Sequence, residues 1–143
     1  TKAFIYNFTM LNFMITQLMH PQEVEVFYVI PTLRRYLAHF LKEQGLSQRS
    51  IAEIFMVRES TISQYFNAKR AALVTFPQAI ADEIKVSAAR IKTHLDVIRE
   101  MQRLLQIVRE SRTLCDIHRR FTTIKLDCDP LVTGCVPYRE ALT

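Results

Sequence analysis

The chain has 143 residues, of which 49% are hydrophobic and 23% are charged, so it has enough apolar surface for a folded core and is not disordered by composition. It has only two glycines and five prolines and no regular series of short β-rich segments, which predicts an all-α protein. The net charge of +5 favours a polyanionic partner, either nucleic acid or an anionic membrane surface.

Residues 1–30 are predicted to form an apolar N-terminal arm or helix. No Lys, Arg, Asp or Glu occurs between residues 3 and 22, but Asn7, Thr9 and Asn12 interrupt the apolar run. No small-residue cleavage site follows it either, so we expect neither a membrane span nor a signal peptide, and no membrane partner. Such a segment is expected to pack on the body of the protein or on a second subunit.

Two prolines punctuate the next segment. Residues 23–26 alternate between acidic and apolar side chains, so a brief strand is an open alternative there. A helix is predicted from Pro31, because proline is favoured in the first helical turn. Its apolar face contains Leu33, Leu37, Phe40 and Leu41, and Gly45 is expected to end it with a left-handed cap.

Residues 47–66 have the pattern of a helix, a short turn and a second helix. Ser47 is positioned to cap the first helix, and Ala52 is small enough for a close crossing of two helices. The positions expected to face inward are Ile51, Ile54, Phe55, Val57, Ile62 and Tyr65. This spacing is typical of a helix-turn-helix, whose second helix is presented to the major groove of DNA.

Short blocks around this pattern resemble the Cro/repressor-like (lambda repressor-like, XRE-type) helix-turn-helix transcriptional regulators. The blocks are Pro31-Thr32-Leu33-Arg34, Gly45-Leu46-Ser47-Gln48, Ile51-Ala52, Ser63-Gln64-Tyr65 and Lys69-Arg70. The resemblance covers about residues 31–90 and implies sequence-specific binding of double-stranded DNA. Met56 stands where the family usually has glycine. Because a left-handed backbone is strained for Met, we expect a reshaped turn.

The resemblance also implies roles for individual positions. Gln48 would contact phosphate, and the exposed face of the second helix would contain Arg58, Glu59, Ser60, Thr61, Ser63 and Gln64. Glu59 and Gln64 have the chemistry to read cytosine or adenine edges. Asn67, Lys69 and Arg70 would hold the DNA backbone. Between Arg34 and Arg70 there are seven Lys and Arg against three Glu, which suits this partner.

The segment after this motif predicts two more helices. One is expected over residues 76–85, and a long one from Ala88 to about Glu110, with Ser87 as its N-cap. The apolar stripe of the long helix is wide, which indicates two contacts: the domain core and a partner helix in a homodimer. A single deeply buried helix is the alternative.

All three cysteines lie in the last 29 residues. Their odd number and clustering argue against a secreted disulfide framework and favour a reduced, cytoplasmic setting. Cys115, His118, Cys128 and Cys135 supply three thiols and one imidazole, the ligands of a zinc site or, with a histidine ligand, of an iron–sulfur cluster. A Cys128–Cys135 disulfide and a set of unrelated thiols remain alternatives.

Three regions follow: the arm over 1–30, a DNA-binding domain over 31–86, and a long helix with a Cys/His tail over 87–143. The expected function is a dimeric transcription regulator with a metal-, iron–sulfur- or redox-responsive C-terminal segment. An antitoxin-like or assembly protein that uses the same fold to bind protein partners is the alternative. Enzymatic activity is not expected, because no Gly-rich phosphate loop, nucleophile elbow or paired acid/base motif occurs.

Overall fold

A computed structural model of the chain describes residues 19–67, 74–122 and 128–135. Within these ranges it has no strand and six helices, which confirms the all-α prediction: α1 over residues 21–43, α2 Gln48–Phe55, α3 Glu59–Asn67, α4 Gln78–Arg90, α5 His94–Glu110 and α6 Thr113–Phe121. No helix in these parts is long and apolar enough to cross a membrane. Most of the predicted N-terminal arm, residues 1–18, lies outside the described residues.

Helix α1 starts ten residues before the predicted position, and the strand alternative for residues 23–26 is wrong. The helix begins at Pro21, and the Glu23 carboxylate accepts a hydrogen bond of 2.6 Å from the His20 backbone N–H. It passes through a π-helical turn, Glu25–Val29, before the α-helical stretch Ile30–Glu43. Pro31 has no N–H to donate and its ring crowds the preceding turn; the wider π-turn accommodates both, so α1 continues through it.

The end of α1 follows the prediction. Gly45 adopts a left-handed backbone with φ +94°. Its N–H bonds to the Lys42 carbonyl at 2.9 Å, and the Leu46 N–H bonds to the Leu41 carbonyl at 3.2 Å. These are the two hydrogen bonds of a Schellman motif, which turns the chain into α2.

The single long helix predicted from Ala88 is wrong, because the chain breaks between α4 and α5. The Thr93 hydroxyl accepts a hydrogen bond of 3.3 Å from the Asp96 N–H, and the Asp96 carboxylate accepts one of 2.8 Å from the Thr93 N–H. This capping box starts a new helix at His94. Ser87, predicted as an N-cap, is instead fully buried within α4.

The hydrophobic core lies between α1, α4 and α5, with α2 and α3 packed on it. Its fully buried large side chains include Leu33, Leu37, Leu41, Ile51, Ile62, Ile84, Ile91, Leu104 and Val108. Polar groups also join α4 to α5. Buried Glu100 accepts hydrogen bonds from Ser87 at 2.8 Å and from Arg103 at 3.1 Å, and Arg103 donates to Glu83 at 2.6 Å.

Helix α6 packs against the first half of α1. The Tyr28 and Phe121 rings stack with centroids 4.1 Å apart and an angle of 7° between their planes. His118 Nε2 lies 2.6 Å from the Met19 carbonyl oxygen. Helix α1 therefore contributes to two packing units, the core around α2–α5 and a smaller contact with α6.

Candidate nucleic-acid interface

Helix α2 begins at the residue that the sequence predicted. The Ser47 hydroxyl accepts a hydrogen bond of 3.1 Å from the Ser50 N–H, which satisfies one of the free donors of the first turn. Ile51 and Ala52 are buried, as expected, and Ile54 and Phe55 are half-buried against the core. Gln48 is the first residue of α2 and is half-buried, and Arg49 is exposed beside it.

The turn after α2 has the left-handed backbone that glycine would adopt, so the reshaped turn expected from Met56 is wrong. Met56 has φ 53° and ψ 42°, and its side chain is 73% exposed. The Met56 N–H bonds to the Glu53 carbonyl and the Val57 N–H bonds to the Ala52 carbonyl, at 3.2 and 3.0 Å. Both bonds of a Schellman motif are therefore formed, and they offset the backbone strain.

Helix α3 has an apolar side toward the core and a polar side toward solvent. Ile62 is fully buried, and Tyr65 and Phe66 are half-buried. The Phe66 ring lies 4.3 Å from the Lys42 ammonium and makes an edge contact with His39 of α1, with centroids 4.8 Å apart. These contacts fix the rotation of α3 about its axis.

The polar side of α3 contains the residues that the sequence assigned to DNA contact. Arg58, Glu59, Ser60, Gln64 and Asn67 are exposed, and Thr61 and Ser63 are half-buried. The Asn67 side-chain amide donates a hydrogen bond of 3.3 Å to the Ser63 hydroxyl. Lys69 and Arg70 lie outside the described residues.

Residues 37–91 match the helix-turn-helix family. This segment is a Cro/repressor-like helix-turn-helix domain. It begins within α1, ends one residue after α4, and contains α2, the Met56 turn and α3. Within this domain, α3 is in the position of the recognition helix of DNA-binding helix-turn-helix proteins. No curated protein and no solved structure matches the chain.

Outside the helix-turn-helix domain, a cavity of about 650 Å³ lies between the start of α1, the end of α5, α6 and the 128–135 segment. Its walls include the Glu25–Arg109 ion pair, His118, Cys128 and Cys135. Sequence reasoning identified the last three but missed Glu25 and Arg109, which pair across 84 residues. No local pattern predicts such a contact.

The predicted metal ligands come near one another without forming a finished site. Cys115 and His118 lie one turn apart on α6, and all three cysteines are free thiols. Burial raises the pKa of the Cys115 thiol; the Cys135 and Cys128 thiols act in the same direction, and Arg119 and Arg112 oppose them. In the parts of the chain that the structure describes, no three His, Cys, Asp or Glu side chains are arranged to hold a metal ion.

A second concave surface, an apolar groove of about 460 Å³, lies between the Met56 turn and α5. Met101 and Leu105 form its floor, and Leu95 and Ile98 are 64% and 58% exposed along α5. The wide stripe predicted for this region is therefore divided: one part is buried in the core and the other faces solvent. The alternative, a single deeply buried helix, does not hold for the first turns of α5, where Leu95 and Ile98 are exposed.

Proposed function

We propose that the protein is a sequence-specific transcription regulator that inserts α3 into the major groove of duplex DNA. The observation that carries this proposal is the polar, exposed face of α3 opposite the buried Ile62, within a helix-turn-helix domain. On this face Gln64 and Glu59 have the donors and acceptors to read adenine or cytosine edges. Ser60, Thr61 and Ser63, which lie between Glu59 and Gln64 in the sequence, supply further hydrogen-bonding groups.

Residues at the edges of α2 and α3 are proposed to contact the DNA backbone. Gln48 lies at the first turn of α2, and Arg58 immediately precedes α3. A cation and an amide at the ends of adjacent helices can contact phosphates and set the register of α3 in the groove. Asn67, the last residue of α3, and Lys69 and Arg70, which follow it in the sequence, are assigned the same role.

We further propose that two copies bind together. The support is the exposed apolar part of α5, where Leu95 and Ile98 lie next to the groove beside the Met56 turn. A two-fold dimer would use the same surface on both copies and would present two α3 helices to two half-sites.

Selection from a library of random DNA duplexes tests whether the protein recognises a specific DNA sequence. We expect enrichment of one motif, and a two-fold repeat of it with half-sites about one helical turn apart, or a multiple of that distance, if the protein binds as a dimer. Gln64→Ala should relax the preference at one position of each half-site. The matched control is Gln106→Ala, which removes an exposed amide from α5 and should leave the motif unchanged. A wild-type selection that enriches no motif contradicts sequence-specific binding.

A further inference from the structure

His118 is fixed on the wall of the cavity by a hydrogen bond that also defines its tautomer. Its Nε2 lies 2.6 Å from the Met19 carbonyl oxygen, and the side chain is buried. A carbonyl oxygen only accepts hydrogen bonds, so Nε2 carries the proton and donates it. In the neutral imidazole, Nδ1 then holds the free electron pair. Metal-binding histidines in proteins are commonly oriented in this way, with the second nitrogen donating to a carbonyl or carboxylate.

The three thiols lie on the two segments that border this imidazole, although Cys115 is not among the residues that line the cavity. Cys115 lies one turn before His118 on α6, and Cys128 and Cys135 line the same cavity as His118. The segment that carries the last two cysteines folds back on itself, with the Cys135 N–H bonded to the Pro130 carbonyl at 2.9 Å. The two thiols are therefore held on one compact turn rather than on an extended tail.

We propose that Cys115, His118, Cys128 and Cys135 bind one soft divalent cation of the zinc type in a tetrahedral site. The four side chains supply three sulfur ligands and one nitrogen ligand, which is a complete set for such an ion. In the described residues these four side chains are not arranged to hold an ion together. Binding therefore requires the 128–135 turn to close on α6. The proposal does not depend on DNA binding.

The charges around the cavity suit this ion. Three thiolates and a divalent cation leave one net negative charge, and the guanidinium groups of Arg112 and Arg119 lie near Cys115. Glu25 is the carboxylate of the cavity wall, and it is held by two hydrogen bonds from Arg109. The thiols of Cys128 and Cys135 and the imidazoles of His118 and His20 are the groups of the described cavity wall left to bind a cation. They select a soft ion over Mg²⁺ or Ca²⁺.

A single ion fits the ligand set better than an iron–sulfur cluster. Clusters are usually held by four thiolates, and Cys115, Cys128 and Cys135 are the only cysteines of this chain. Each thiol that binds the ion loses its proton to solvent, so binding releases protons and weakens as the pH falls.

Cobalt(II) titration of the reduced, full-length protein tests the proposal, because a tetrahedral cobalt–thiolate site has visible d–d bands and sulfur-to-metal charge-transfer bands. We expect saturation at one equivalent and displacement of cobalt by zinc. Cys128→Ser and Cys135→Ser change half-buried side chains and should weaken binding by more than about 100-fold, since loss of an outer partner alone costs 10- to 100-fold. His118→Gln should weaken it as well.

His94→Gln is the matched control, because His94 is exposed and lines the other groove; it should leave the titration unchanged. Circular dichroism identifies any variant that does not fold, and the Cys128 and Cys135 variants test the site even if the buried His118 variant fails. Absence of the cobalt bands in the folded wild-type protein overturns the proposal. So do bands that survive replacement of both Cys128 and Cys135, and so does anaerobically purified protein that contains iron and sulfide.

Discussion

The Arg109 guanidinium donates two hydrogen bonds to the Glu25 carboxylate, at 2.5 and 2.8 Å, and thereby joins α5 to α1. The same α1 carries Leu37 and Leu41 into the core beneath the helix-turn-helix. Helix α1 is therefore shared by the DNA-binding domain and by the cavity around His118.

The Glu25–Arg109 pair is expected to stabilise the fold. Arg109→Ala leaves the buried Glu25 carboxylate without its partner and should lower the free energy of unfolding by about 1–3 kcal/mol; this is below the usual cost of breaking a buried pair, because Arg109 is partly exposed. Urea denaturation measures the change. Arg90→Ala removes an exposed cation from the end of α4 and should change stability by less than about 0.5 kcal/mol. If Arg109→Ala and Arg90→Ala lower the free energy of unfolding equally, the Glu25–Arg109 pair does not stabilise the fold more than an exposed cation does.

The Glu100 network predicts a pH dependence of stability. Burial alone would raise the pKa of Glu100, but hydrogen bonds from Ser87, Arg103 and Arg99 outweigh it and hold the pKa below its ordinary value. A carboxyl group with a lowered pKa in the folded state stabilises the protein above its unfolded pKa, and this contribution is lost as the pH falls through the folded pKa.

Glu100→Gln is therefore expected to cost the most stability near neutral pH. Urea denaturation of the wild type and the variant, from neutral pH down into the acid range, should show the difference narrowing as the pH falls below the ordinary range of a Glu carboxyl. Glu110→Gln, at an exposed position of the same helix, is the control and should show a much smaller difference. A gap between wild type and Glu100→Gln that stays constant with pH would contradict this account of the network.

Met56→Gly is expected to stabilise the protein by up to about 1 kcal/mol. A left-handed backbone costs a non-glycine residue roughly 1–2 kcal/mol, and the greater freedom of glycine in the unfolded chain cancels about half of that gain. The Met56 side chain is 73% exposed and has little packing to lose. Thermal or urea unfolding measures the effect. Met101→Gly, in the middle of α5 and buried, should be strongly destabilising; a loss of stability with Met56→Gly would show that its side chain packs after all.

The exposed part of α5 predicts the surface that joins two copies. Ile98→Glu places a charge on the apolar groove and should shift the protein from dimer to monomer in analytical ultracentrifugation. Val86→Glu, at another exposed apolar position on α4, should leave the dimer intact. A wild-type protein that remains monomeric at all concentrations, or a dimer that survives Ile98→Glu, contradicts the proposed interface.

Features set by neighbouring residues were predictable from the sequence. Ser47 caps α2, Gly45 ends α1 and Ala52 is buried, because capping groups, a flexible backbone and small size act within one or two helical turns. The break before His94 was also within reach, since Thr93 and Asp96 form a capping box. This break was not predicted, because apolar residues recur at helical spacing across residues 88–110 without interruption.

Other features depend on groups that are far apart in the chain. The π-turn in α1 changes which carbonyl each N–H reaches, and no composition signals it. The contacts of His118 with Met19 and of Arg109 with Glu25 join residues separated by 99 and 84 positions. Such pairs follow from how helices pack and not from local spacing, so the sequence singled out His118, Cys128 and Cys135 but not the cavity that they line.

Fluorescence anisotropy of a labelled duplex that carries the selected motif tests the central claim most directly. The wild-type protein should bind it far more tightly than a scrambled duplex, and affinity for both should fall steeply with salt, by roughly a thousandfold between about 50 and 200 mM if about six phosphates are contacted. Gln64→Ala should reduce the preference between the two duplexes, and Gln106→Ala should not. Equal affinity of the wild type for the two duplexes at every salt concentration, or no binding at low salt, would contradict the assignment of α3 as a recognition helix.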